Sequence, residues 1–166
     1  GHRIKNQFVY VGLAHGKYKN HKLLIEAFAL SYKNNQTGEL HLTIDNSNQE
    51  LKEQIMHYQK SNIPIINHGL LDKTEVSKLY SRSEYLIFPS LRESFGLPLI
   101  EAIKYGCKVL ASKRRYVSEV CSPSLSFDPL DIDDIANCIT IAKTDELKES
   151  VLKVDDRIKD LVKIIL

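Results

Sequence analysis

The chain lacks any long apolar run: nothing in it approaches the stretch of about twenty residues that crosses a bilayer. It also lacks charge of one dominant sign. Lys and Arg number 23 against 21 Asp and Glu, a formal net charge of +2, which gives no long-range field for nucleic acid. Cysteine is scarce. Cys107, Cys121 and Cys138 are odd in number and form no C-x-x-C pair, so they read as reduced, mostly buried thiols of a cytoplasmic protein. No cluster of His, Cys and Asp has ligand spacing, and no metal is expected. No G-x-G-x-x-G follows the first apolar segment, which argues against a nicotinamide dehydrogenase. Internal repeats, low-complexity stretches and a linker to a second domain are absent too. Gly1-His2-Arg3 has no signal-peptide apolar stretch and looks like a cloning scar, so residues 1–7 are set aside as tag or linker.

What is present fits one compact domain: 166 residues, 43% hydrophobic and 27% charged. Six short apolar segments alternate with helix-like stretches. They are Phe8–Val11, Leu40–Ile44, Ile63–Ile66, Tyr85–Phe88, Val109–Ala111 and the weaker Leu125–Phe127. Several are apolar throughout rather than alternating, as parallel strands covered on both faces are. Between them, Leu23, Leu24, Ala27 and Phe28 have helical spacing, as do Leu51, Ile55 and Tyr58, and then Val76, Leu79 and Tyr80. Leu99, Ile100 and Ile103 mark a fourth helix, and Ile132, Ile135 and Ile139 one after the last strand. Such alternation predicts an α/β domain with a doubly wound, six-stranded parallel sheet. Ligands bind outside the carboxyl ends of such strands, so the loops after Gly12, Asp45, Asn67, Phe88 and Ala111 should line one cleft. From Thr144 onward, Leu147, Val151, Val154, Ile158, Leu161 and Ile165 read as one or two amphipathic helices packed on a domain.

The run from Pro89 to Glu101 is chemically the richest. Glu93 and Glu101 stand eight apart, one on a strand-to-helix loop and the other expected in the helix's first turn, with Gly96 and the helix start between them. Carboxylates accept hydrogen bonds from vicinal hydroxyls, and free N–H groups at a helix start attract phosphate. Hydroxyls and phosphates together describe a nucleotide-sugar. Gly96 permits close backbone approach, and Pro98 suits a first turn that needs no N–H from it.

Four blocks in order resemble glycosyltransferase family four, the retaining group with the GT-B fold. They are Val11-Gly12 with Lys19-Asn20-His21 and the Leu24–Phe28 helix, then His68-Gly69 through Tyr80, then Glu93–Ala102, then Gly106–Ser112 with Glu119-Val120. Glu93–Ala102 is similar to that family's E-x7-E signature residue for residue. The resemblance implies one Rossmann-like half of a GT-B fold, residues 8–166, binding a UDP- or GDP-sugar without a metal or cofactor. Glu101 would bind ribose hydroxyls, Glu93 the donor sugar, and Lys19 the departing diphosphate. Backbone around Phe95, Gly96 and Leu97 would meet sugar and phosphate, with Gly12 and Ser94 counted in the binding set. Lys19 and Glu93 are the residues set down as catalytic.

The implied enzyme is a retaining hexosyltransferase for bacterial surface polysaccharide or glycolipid, acting in the cytoplasm or at the inner face of its membrane. Its partners would be the nucleotide-sugar, an acceptor glycan or glycolipid, and an N-terminal acceptor domain expected to be absent here, so that this chain alone would be inactive. Peripheral membrane association of the full enzyme is compatible with this. A non-catalytic nucleotide-sugar binder, or a degenerate partner subunit, is the alternative.

The family's usual arginine after the first glycine is Leu13 here, which leaves His15, Lys17, Arg92 or Arg114 as unranked replacements. Asp45-Asn46 replaces another usual glycine and is expected to cap the next helix, with closing the cleft or contacting the nucleotide as the alternatives. Asp131-Ile132-Asp133 imitates a D-x-D metal motif but lies where a helix begins, so capping is expected. His15 and His21 share neither a helical nor a strand face. Lys113-Arg114-Arg115 reads as a solvated loop on the cleft side, with contact to an anionic acceptor as the sharper option.

Overall fold

The computed structural model describes residues 2–154 and residue 160. Strand β1 (Ile4–Tyr10) leads through a 3-10 turn (Lys17–Lys19) into α1 (His21–Asn34) and β2 (Glu39–Leu42). Next come α2 (Gln49–Lys60), β3 (Ile65–Asn67), α3 (Lys73–Arg82), β4 (Ser83–Phe88) and α4 (Leu97–Lys104). The rest is β5 (Lys108–Ser112), α5 (Arg115–Val120), β6 (Cys121–Ser122), β7 (Leu125–Phe127), α6 (Ile132–Thr144) and β8 (Val151–Leu152).

Six strands form one parallel sheet in the order β3-β2-β1-β4-β5-β7, as the apolar segments predict. From β1 the chain winds outward through β2 to β3, and from β4 it winds the opposite way through β5 to β7. Right-handed crossovers in opposite directions put the two sets of helices on opposite faces. The β1/β4 junction is therefore the topological switch point, where an open α/β sheet has its crevice. The core on both faces is aromatic and aliphatic: Phe8, Tyr10, Phe28, Tyr80, Phe88 and Phe127 are all fully buried.

Four expectations need correction. Residues 4–7, set aside with the leading tag or linker, belong to β1. Asn6 adopts φ 59° and its N–H donates to Glu84 at 2.6 Å, an irregularity that breaks the apolar pattern without ending the strand. Arg3 is tied in as well, its guanidinium donating to the carbonyls of Ser83 and Tyr105. Between Thr144 and Val154 the tail is not helical, whereas Asp160, beyond the stretch 155–159 that is not described, is. Ser150 accepts from Val109 N at 2.8 Å and Ser124 N at 3.1 Å, and Val151–Leu152 pairs antiparallel with β6. Ile158, Leu161 and Ile165 lie outside the described residues. Third, Asn48 rather than Asp45-Asn46 caps α2, accepting from Leu51 N, while Asp45 accepts from Ser47. Finally, Arg115 opens a short helix, α5, with its guanidinium on Glu119 at 2.7 Å. That helix is too polar and short to show a period. Asp131 does cap α6, accepting from the N–H of Asp133 and Asp134. Cys107, Cys121 and Cys138 are free and buried.

Candidate functional site

Lys19 and Glu93 meet across the switch point. Lys19 Nζ donates to Glu93 Oε1 at 2.6 Å, joining the β1–α1 loop to the β4–α4 loop over 74 residues of sequence. The side chains retain 21% and 12% of their exposure, so the pair sits at the mouth of the crevice rather than within the core. Even an exposed ion pair contributes only about 0.2–1 kcal/mol, and partial burial offsets the gain with desolvation. Its value lies in what it positions.

The two loops are stapled beneath it. Leu91 N donates to Tyr18 O at 2.8 Å, and Asn20 Nδ2 donates to the carbonyls of Pro89 and Pro129 at 3.1 and 2.7 Å. Tyr10 OH donates to Lys19 O at 2.8 Å; burial, and next the Glu93 carboxylate, push that phenol well up, which keeps it a donor. Tyr116 OH donates to Ser90 O at 2.6 Å, and its ring meets Phe88 edge-on. The Gly12 N–H is held by Thr43 Oγ1 at 3.0 Å.

Both helices at the switch point start without a side-chain cap. At α1 the capping position is Asn20, in the left-handed region at φ 64°, with its amide already committed to the two proline carbonyls. At α4 it is Gly96, at φ 62°, where a Cβ would stand 3.3 Å from Leu99 Cδ1. Each helix thus presents its positive end to the crevice. His21, the first residue of α1, is buried against the Tyr10 ring with centroids 4.5 Å apart. Burial, helped by the Lys19 charge, lowers it to about 4, and its Nε2 has no partner.

The remaining expected site residues divide. Ser94 and Phe95 are exposed on the loop above α4, Gly96 is buried and Leu97 half-buried. Glu101 is not in the first turn of α4 but in the second, because the helix begins at Leu97. It is exposed, and after burial its charge is the next influence raising the buried Tyr80 hydroxyl. A cleft of about 370 Å³ opens to one side, lined by residues including Lys17, His21, Lys22 and Asn48, and it contains neither Lys19 nor Glu93. The crevice, and not that cleft, is where the site residues gather. Sequence reasoning missed Tyr18, Asn20 and His21. Asn20 and His21 enter only as part of the Lys19-Asn20-His21 block, and the fold alone sends the Asn20 amide to Pro89 and Pro129. Among the described residues, no three or more His, Cys, Asp or Glu side chains are grouped to hold a metal, and no helix is long and apolar enough to cross a membrane.

A parallel sheet with its crevice at β1/β4, an uncapped helix start on either side and a lysine–carboxylate pair between them define a Rossmann-like half of a GT-B glycosyltransferase. The chain belongs to the group 1 glycosyl transferases, whose family model, described as "Glycosyl transferases group 1", matches residues 3–159. It is similar to the serotype-specific mannosyltransferase WbdA of Escherichia coli, 36% identical over 90 residues, covering 54% of this chain and 11% of that protein. It is also similar to the MMP alpha-(1->4)-mannosyltransferase of Mycolicibacterium hassiacum, 28% identical over 146 residues, covering 87% of this chain and 33% of that one. Among solved structures, S. aureus TarM in a complex that includes UDP shares the fold at a TM-score of 0.76 and 18% identity, over 87% of this chain and 30% of TarM. The chain thus spans a third or less of the length of each of these three proteins.

Proposed function

We propose that this chain is the donor-binding domain of a retaining glycosyltransferase, which moves a sugar from a nucleotide-diphospho-sugar to an acceptor hydroxyl. The observation that carries the reading is the Lys19–Glu93 pair at the switch point, between two helix starts whose N–H groups no side chain occupies. A diphosphate in the crevice would take donors from Lys19 and from backbone around Phe95, Gly96 and Leu97, with Gly12 and Ser94 at its edge. Its negative charge would displace or share the ammonium that Glu93 holds, freeing that carboxylate for hydroxyls of the sugar. Glu101, one turn down α4, would take the ribose hydroxyls. As the sugar–phosphate bond breaks, Lys19 is placed where charge develops. Removing one such stabiliser costs about 2.7–4 kcal/mol of barrier in comparable cases.

In the full enzyme an acceptor-binding domain would close over this crevice and supply the acceptor glycan or glycolipid. Both curated relatives are named as mannosyltransferases, so a mannosyl donor is the first sugar to test, with surface polysaccharide as the setting. The test is thermal stabilisation of the protein by a panel of UDP-, GDP- and ADP-sugars, followed by calorimetry with the best nucleotide. A ligand at 100 times its dissociation constant adds about 2.7 kcal/mol. Lys19→Ala should lose at least tenfold in nucleoside diphosphate affinity, and Glu101→Ala should weaken nucleotide binding. A panel without a single stabilising nucleotide would overturn the reading.

A further inference from the structure

The Lys19–Glu93 pair has a shortcoming as an anion site: its two charges cancel. Beyond the partial positive charge of the two helix starts, a crevice holding only that pair offers a diphosphate no net charge until Glu93 lets go. The surplus positive charge must come from elsewhere. Of the other basic side chains on the neighbouring loops, Lys22 and Arg114 are engaged away from the crevice. Lys22 is paired with Glu50 at 2.9 Å. The guanidinium of Arg114 is folded onto the Lys113 carbonyl at 3.1 Å.

Arg92 is different. It precedes Glu93 on the crevice loop, is exposed, and pairs with no carboxylate among the described residues. Its guanidinium carbon lies 4.7 Å from the centre of the Tyr18 ring, and Lys19 Nζ lies 5.4 Å from the same centre. One aromatic ring therefore gathers two cations from two loops. The tyrosine is held at both ends: its backbone carbonyl accepts from Leu91 N at 2.8 Å, and its ring lies so close over Gly16 that a Cβ there would come within 2.6 Å of Tyr18 Cε1. A guanidinium stacked on a fixed ring keeps its N–H edge free and pre-organised for phosphate oxygens.

We propose that Arg92, held on the face of Tyr18, is the second cationic contact for the donor's diphosphate, with Tyr18 as its positioning residue. This rests on the donor-site reading above and adds to it the group that makes the crevice net positive. Arg92 approaches the diphosphate from the β4–α4 loop and Lys19 from the β1–α1 loop, so the anion bridges the switch point.

Calorimetry with the nucleoside diphosphate selected by the panel, and with its parent nucleoside, tests the assignment. Arg92→Ala should weaken the diphosphate at least tenfold, leave the nucleoside within twofold, and flatten the dependence of affinity on salt. Arg92→Lys should recover only part, because lysine lacks the planar fork. Tyr18→Leu should reproduce the Arg92→Ala loss and Tyr18→Phe should not, a split that a merely structural tyrosine would not give. If Lys19→Ala loses the diphosphate while Arg92→Ala and Arg92→Gln bind it as the unmodified protein does, Arg92 is no contact and the donor site stands. If the unmodified protein binds no nucleoside diphosphate, the donor-site reading falls, and this inference with it.

Discussion

Apart from the six-residue α5, which starts from the extended Arg114 without a side-chain cap, the helices of this domain begin in two ways. Away from the switch point, α2, α3 and α6 are capped by Asn48, Asp72 and Asp131, each accepting from backbone N–H of its own first turn, and Asp72 and Glu75 complete a capping box. At the switch point, α1 and α4 start from left-handed residues, Asn20 and Gly96, that offer their helices no side-chain acceptor. A cap satisfies donors and, when it is Asp, brings a negative charge to the helix's positive end. The first group of helices has used that end for stability. The second has left it to whatever enters the crevice, with Lys19 and Arg92 beside it.

The largest test of this contrast is acid. An ordinary histidine protonates near 6.5, whereas burial holds His21, at the start of α1, to about 4. Below pH 6.5 the unfolded chain takes up a proton that the folded chain refuses, so stability should fall as pH drops from 6.5 toward 4. At roughly 1.4 kcal/mol per unit, His21 alone accounts for about 3 kcal/mol of that loss. His41 and His68, lowered by burial and sharing a hydrogen bond of 2.9 Å, add to the same slope. Urea midpoints measured across that range should show a shallower slope for His21→Gln. An unchanged slope would mean that the start of α1 is not the acid-sensitive point.

A smaller effect is expected from Asn20→Asp. Aspartate tolerates the left-handed backbone, so the substitution isolates the side chain. It removes the donor to Pro89 and Pro129 and turns a negative group toward two carbonyls, at a cost of about 2 kcal/mol or more. Thermal unfolding would register this, and a neutral outcome would mean the staple between the loops contributes little. The smallest effects belong to the ordinary caps. Asn48→Ala and Asp131→Ala should each lower stability by about 1 kcal/mol and leave nucleotide affinity within twofold. If either weakened nucleotide binding as Lys19→Ala is expected to, the division between capped and uncapped helices would have no functional meaning.

Much of the domain could be read from residue order. Continuous apolar runs such as Tyr85–Phe88 marked buried parallel strands, and Glu93–Ala102 carried the family signature. Two of the misses share one cause: an interaction distant in sequence overrode the local pattern. The stretch from Ile4 to Gln7 continues β1 because Ile4 pairs with Ser83 of β4 and Gln7 with Glu39 of β2, and Val151 is drawn into a strand by β6 instead of extending a helix. Glu101 falls in the second turn because α4 already starts at Leu97, straight after Gly96, and not later in the run.

By itself, the sequence determined the α/β class, the number of strands in the main sheet and the family. Those properties depend on residues within a few positions of one another, through side-chain period and motif spacing. Only the tertiary structure decided that Lys19 holds Glu93, that Asn20 is diverted from its own helix, and that Tyr18 holds Arg92. Each joins loops more than 60 residues apart, and no local preference of the chain encodes such a pairing. Winding β1 and β4 side by side brings them within bonding distance.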